Sequence, residues 1–77
     1  GAVSFDEALL AKLHNNLGAA LVADGRHEEA LAHYERARET WERRLGKRDI
    51  MVGIVLANIA EVHETAGRLE EARRAYE

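Results

Sequence analysis

A shift of 42 residues lays this 77-residue chain on itself. Gly25-Arg26-His27-Glu28-Glu29-Ala30 falls on Gly67-Arg68-Leu69-Glu70-Glu71-Ala72, with five identities in six positions, and Tyr34 falls on Tyr76. Upstream, Asn16 meets Asn58, Leu17 meets Ile59 and Gly18 meets Ala60. Self-similarity at such a period means one supersecondary unit used more than once, each unit burying its apolar face on a neighbour. The unit is helical. The chain has no proline and is rich in Glu, Arg, Ala and Leu, which favours helix almost throughout. Gly25, Gly46 and Gly67 each close a stretch in which apolar residues recur every three or four positions. Glycine just past a helix C-terminus supplies the positive φ that ends it.

The pattern predicts an all-α fold of about four antiparallel helices in a single domain spanning residues 1–77. The first helix begins near Ser4, where Ser4 and Glu7 fit a capping box, and runs to about Asp24 with Leu10, Leu13, Leu17 and Leu21 inward. The second runs from about His27 to Leu45, with Ala30, Tyr34, Ala37, Trp41 and Leu45 inward and a charged outer face. The third follows Asp49, a suitable N-cap, and runs to about Ala66. It is apolar most of the way round, so it packs on more than one side. Its run Met51–Leu56 also suits a strand, but no partner strand exists and the repeat demands helix. The fourth starts near Leu69 and covers barely two and a half turns to Glu77, too short to stand alone.

These residues resemble tetratricopeptide repeats. The first unit, about 5–46, supplies His14, Leu17-Gly18, Leu21, Ala30, Tyr34 and Ala37 at the positions of the family pattern. The second, about 49–77, supplies Leu56, Ile59-Ala60, His63, Ala72 and Tyr76 and stops before its last Ala. The 42-residue period, His14-Asn15-Asn16-Leu17-Gly18 and Leu45-Gly46 are similar to the kinesin-light-chain subtype, and similar repeats occur in the sensor arms of large bacterial regulators. Three departures stand out: Glu42 replaces the usual proline, Ala60 replaces glycine, and His14 and His63 sit where large apolar residues are preferred.

The resemblance implies a right-handed solenoid of helical hairpins with its second repeat truncated, working as a protein–protein interaction module. In that family the first helices of successive hairpins line a concave groove that holds a peptide or helix of a partner. Carried over, the groove residues are Lys12, Asn15, Asn16, Ala19 and Val22, then Ile54, Ala57, Asn58, Glu61 and Glu64. Asparagine amides both donate and accept, which matches peptide backbone. Ala19 stands at the key Asn site of the chaperone-tail carboxylate clamp, so an acidic C-terminal tail is not the expected ligand. The incomplete second unit is expected to leave Met51, Ile54 and Val62 exposed. The alternative function is therefore self-association through an uncapped repeat face, in a chain that is a fragment of a larger scaffold or regulator. Gly1-Ala2 reads as a cleavage scar or the start of a fragment.

Catalytic chemistry finds little to use. His27-Glu28 and His63-Glu64 open the zinc-protease motif, but Leu31 and Gly67 stand where its second histidine belongs. His27 and His33 lie about 120° apart round a helix and cannot share a metal locally. There is no Cys, Ser4 is the only serine, and the six glycines form no phosphate loop. No enzyme activity, metal or cofactor is expected. Glu28-Glu29 and Glu70-Glu71 fall in first turns and Arg43, Arg44, Lys47 and Arg48 around a helix C-terminus, each as the helix dipole favours. His14 and His63, placed near the core, offer a pH-sensing role. Eleven basic against fourteen acidic residues leave a net charge of −3 and no nucleic-acid partner. The longest run without a strongly polar residue, Ile50 to Ala57, falls short of the roughly 18 residues a membrane span needs. No membrane partner and a cytoplasmic location are expected.

Overall fold

The computed structural model describes residues 5–76, in three helices with no strand among them. α1 (Phe5–Ala23) and α2 (His27–Leu45) form an antiparallel hairpin; α3 (Ile50–Tyr76) packs mainly along α2 and runs parallel to α1. The capping box proposed for Ser4 lies outside the described residues.

Each turn has a local cause. At the end of α1 the Arg26 N–H bonds the Leu21 carbonyl at 2.8 Å and the Gly25 N–H bonds the Val22 carbonyl at 2.9 Å. This pair of bonds, with Gly25 at φ +79°, is a Schellman motif that uses up carbonyls the helix would otherwise leave unpaired. Gly46 follows α2 at φ 92°, ψ 157°, a conformation open essentially to glycine alone. Asp49 then caps α3, its carboxylate accepting the Met51 N–H at 2.9 Å.

α2 is the shared wall. Ala30, Tyr34, Ala37 and Trp41, at spacings of four, three and four, are buried together with Ala11 of α1 and Val52, Val55 and Val62 of α3. Alternating alanines with aromatic rings let helices approach on both sides of one stripe. The closest approach is at Gly18, where a Cβ would lie 2.6 Å from the Tyr34 ring.

The structure corrects three expectations. First, α1 buries Ala11 and Gly18 rather than most of its leucines; Leu10, Leu13 and Leu17 are 54%, 53% and 45% exposed, while Leu21 is half-buried against the core as expected. In the repeat these leucines stand where Val52, Val55 and Ile59 stand, and α2 covers that row on α3. No described helix covers the row on α1. Leu45, also expected inward, is 45% exposed, and Val62, expected exposed, is buried.

Second, the fourth helix does not exist as a separate element. α3 runs unbroken through Gly67 to Tyr76, and Gly67 has no positive φ. The turn at Gly25 is supported by α2, which buries two aromatic rings and two alanines. Past Gly67 the helix has no such support, since every residue from Gly67 to Ala75 is exposed. Continuing the helix keeps the i→i−4 bonds instead. The α3 end therefore projects, and the Cα radius of gyration is 14.3 Å against about 11.5 Å for a compact chain of this length.

Third, α3 as one helix is long and apolar enough, by length and mean hydropathy, to cross a membrane over Ile50–Ala75. The eight-residue run Ile50–Ala57 did not foretell this, because small and apolar residues continue past Asn58. The face carrying Val52, Val55 and Val62 is packed against α2, while most other residues of the span are exposed.

Candidate functional site

α1 and α3, running parallel on the same side of α2, leave a cleft of about 160 Å³ between them. Ala19 and Val22 of α1 form one wall, Asn58, Glu61 and Val62 of α3 the other, and Tyr34 of α2 lies across the floor. One turn away, Asn58 Nδ2 donates to Asn15 Oδ1 at 3.1 Å and ties the two walls together. The parallel course follows from the fold: one intervening helix reverses the chain twice, so the first helices of the two units point the same way.

Of the residues assigned to the groove from sequence, Ala19, Asn58 and Glu61 line the cleft and Asn15 joins them through its bond to Asn58. Val22 lines it as well. Lys12, Asn16, Ile54, Ala57 and Glu64 are exposed and do not line it. Tyr34, assigned to the core alone, and Val62, expected to be exposed, both contribute to the cleft surface. The signal for Tyr34 was the glycine facing it, since only Gly18 lets the ring lie flat enough on α1 to become a floor.

The cleft joins an apolar lining to a small polar rim. Burial, and after it the negative charge of Glu61, pushes the Tyr34 phenol above its ordinary range. The phenol therefore stays protonated and can donate. An amide pair, a phenol and one carboxylate around apolar walls can bind a peptide backbone, a small apolar side chain and a cation. They offer no nucleophile with a base beside it.

The histidines fall differently from expectation. His63 is exposed rather than near the core. His14 is half-buried, and its Nδ1 lies 2.9 Å from Nδ1 of His33 across the α1–α2 contact. The two rings stack with centroids 5.1 Å apart and planes 28° apart. Pairing His33 only with His27, on its own helix, had hidden this partner. Burial, then the positive charges of His33 and Arg36, hold the His14 imidazole below the usual histidine range. Among the described residues no group of three or more His, Asp or Glu is placed to hold a metal.

The charges serve mainly to fasten helices. Arg44 Nη2 reaches both carboxylate oxygens of Glu7, at 2.8 and 2.7 Å, and closes the end of the hairpin opposite its turn. That bond, opposed by desolvation and aided by the charges of Arg44 and Arg43, holds the Glu7 carboxyl below its ordinary range. Arg38 bridges Glu35 and Glu42 along the outside of α2, and Arg26 pairs with Glu29 at 2.6 Å at its start.

Residues 9–77 match the tetratricopeptide repeat family, and the chain belongs to it. Members of this non-catalytic repeat family generally mediate protein–protein interactions. Among curated proteins and among solved structures the chain has no match.

Proposed function

We propose that the chain is a protein-interaction module that takes an extended segment of a partner protein across the α1/α3 face. The cleft floored by Tyr34 carries this reading: it is apolar enough to accept a small side chain and is rimmed by Asn15, Asn58 and Glu61. The amides match the backbone of the bound segment, and Glu61 favours a cation beside the inserted side chain. In this reading the module is of a kinesin-light-chain-like subtype, supported by the 42-residue period and the His14–Gly18 and Leu45-Gly46 motifs, and works in the cytoplasm. The test is a display selection of peptides against the whole chain, followed by amide chemical-shift mapping. Shifts at Ala19, Val22, Asn58 and Glu61, with affinity lost in Asn58→Ala and Glu61→Gln, support the proposal. Selected peptides that leave those amides unmoved refute it.

A second reading rests on a separate observation. The exposed leucine row of α1 has the repeat register of the α3 row that α2 covers. An apolar row of that kind is a docking surface for an amphipathic helix carrying small and aromatic residues as α2 does, and a second copy of this chain contains such helices. Molar mass by light scattering across a wide concentration range tests it. A mass that rises with concentration and stays at 8.6 kDa in Leu13→Glu supports self-association; a constant monomer mass ends it.

A further inference from the structure

We propose that the His14–His33 contact is a proton-sensitive latch that holds α1 on α2 while the pair carries one added proton at most, and releases it when both rings are charged. Two Nδ1 atoms 2.9 Å apart share one hydrogen, with one ring donating and the other accepting. A first added proton is tolerated, because a charged ring still donates through Nδ1 to its neutral neighbour. A second proton puts a hydrogen on both facing nitrogens, removes the acceptor and leaves two cations stacked at 5.1 Å between ring centroids.

Among the described residues, nothing around the pair offsets that second charge. The groups acting on His14 are His33 and Arg36, both on α2 and both cations when the pair is charged. Also on α2, the Glu29 carboxylate is engaged with Arg26. On α1 itself, Glu7 is engaged with Arg44 at the far end of the hairpin. From α3, Asn58 is bonded to Asn15, and the Glu61 carboxylate acts on Tyr34 and is not among the charges acting on His14. Burial and both cations act against charge on His14.

The latch sits next to the candidate binding face. Asn15, adjacent to His14 in sequence, bonds the opposite wall, and Tyr34, adjacent to His33, is the floor. Opening the α1–α2 contact therefore takes the cleft apart. That consequence rests on the peptide-binding reading, whereas the latch itself does not.

The direction of the pH effect is set by where the protons go. Unfolded His14 takes up its proton near pH 6.5, and the folded state resists it. Between that pH and the lower folded value the unfolded chain binds one more proton. Stability contributed by the neutral ring is thus full above about pH 6.5 and lost as pH falls, by up to about tenfold in the folding constant per pH unit.

The experiment uses the whole chain in two measurements that need no ligand. In urea unfolding from pH 7.5 to pH 5.0, the parent should lose stability with falling pH and His14→Gln should lose markedly less. In a ring titration by NMR, His14 should take up its proton below the ordinary histidine range. If His14→Gln does not fold, the parent's ring titration decides. A His14 ring that titrates in the ordinary histidine range, or a parent stability that is flat over this range, overturns the latch. Peptide binding lost at pH 5 while the folding constant holds would count against the latch and leave the binding reading standing.

Discussion

Gly18→Ala adds one methyl group where the structure has least room for it. The new Cβ would lie 2.6 Å from Cε1 and 2.7 Å from Cδ1 of Tyr34, whereas carbon atoms in contact sit about 3.5 Å apart or more. The ring must therefore retreat by roughly 0.9 Å, or α1 must lift from α2 by as much. Tyr34 is only 3% exposed, and the cleft toward α3 opens beside it. Overpacking of this kind costs about 1–3 kcal/mol, while alanine gains about 1 kcal/mol over glycine inside a helix. The net effect is a loss of up to about 2 kcal/mol, a large share for a domain with a core this small. Gly53→Ala is the control, because a Cβ there meets nothing within 4 Å and should stabilise α3 by about 0.5–1 kcal/mol. The two variants make the same chemical change, so their difference isolates the contact with Tyr34. Urea unfolding followed by helical circular dichroism reads it. Gly18→Ala as stable as Gly53→Ala would show that the ring does not lie on the α1 backbone, and the account of the cleft floor would fall with it.

Gly67→Ala distinguishes a continuous α3 from a turn: helicity and stability should rise, by about 1 kcal/mol in stability, whereas a turn with positive φ would make the variant less stable. Trp41→Ala removes the largest buried ring of the α2 stripe and should cost about 3–5 kcal/mol, enough to leave the chain largely unfolded in a thermal scan. Leu13→Glu, on the open row of α1, should change monomer stability little by the same unfolding assay, since the side chain is already half in water. Acidification should weaken the hairpin end at Glu7: its carboxyl is depressed by Arg44 in the folded state, so that contribution is present above the ordinary glutamate range and lost as pH falls through the folded value. Glu7→Gln should flatten this limb of the pH–stability curve, and a curve unchanged by Glu7→Gln would refute the coupling.

The helices of the first hairpin were legible because their causes are local. Gly25 and Gly46 stop helices through their own backbone freedom, Asp49 starts one through its own carboxylate, and the alternation of Ala30, Tyr34, Ala37 and Trp41 marks a stripe that only close packing on both sides explains. The repeat and its family could be read for the same reason, since identical short motifs carry identical local instructions. Part of the candidate site was legible too, because Ala19, Asn58 and Glu61 sit on the helix faces that the repeat aligns.

What the sequence could not decide is which of two apolar faces a helix buries. α1 offers a leucine row and an alanine–glycine row, and composition favours the leucines. The structure buries Ala11 and Gly18 because α2 brings bulky Tyr34 and Trp41, and two bulky rows cannot approach as closely as a bulky row and a small one. The signal at Gly67 was likewise incomplete: a glycine permits a turn, but the turn forms only where the returning helix gains enough burial to replace the bonds it breaks. The histidine contact belongs to the same category. His14 and His33 are nineteen residues apart, and only the antiparallel packing of two helices, fixed by the short turn at Gly25, sets their rings against each other. Local chemistry determined where the helices begin and end in the first unit and which stripe α2 turns inward; the competition between surfaces for a limited set of neighbours determined which face α1 buries and how far α3 runs.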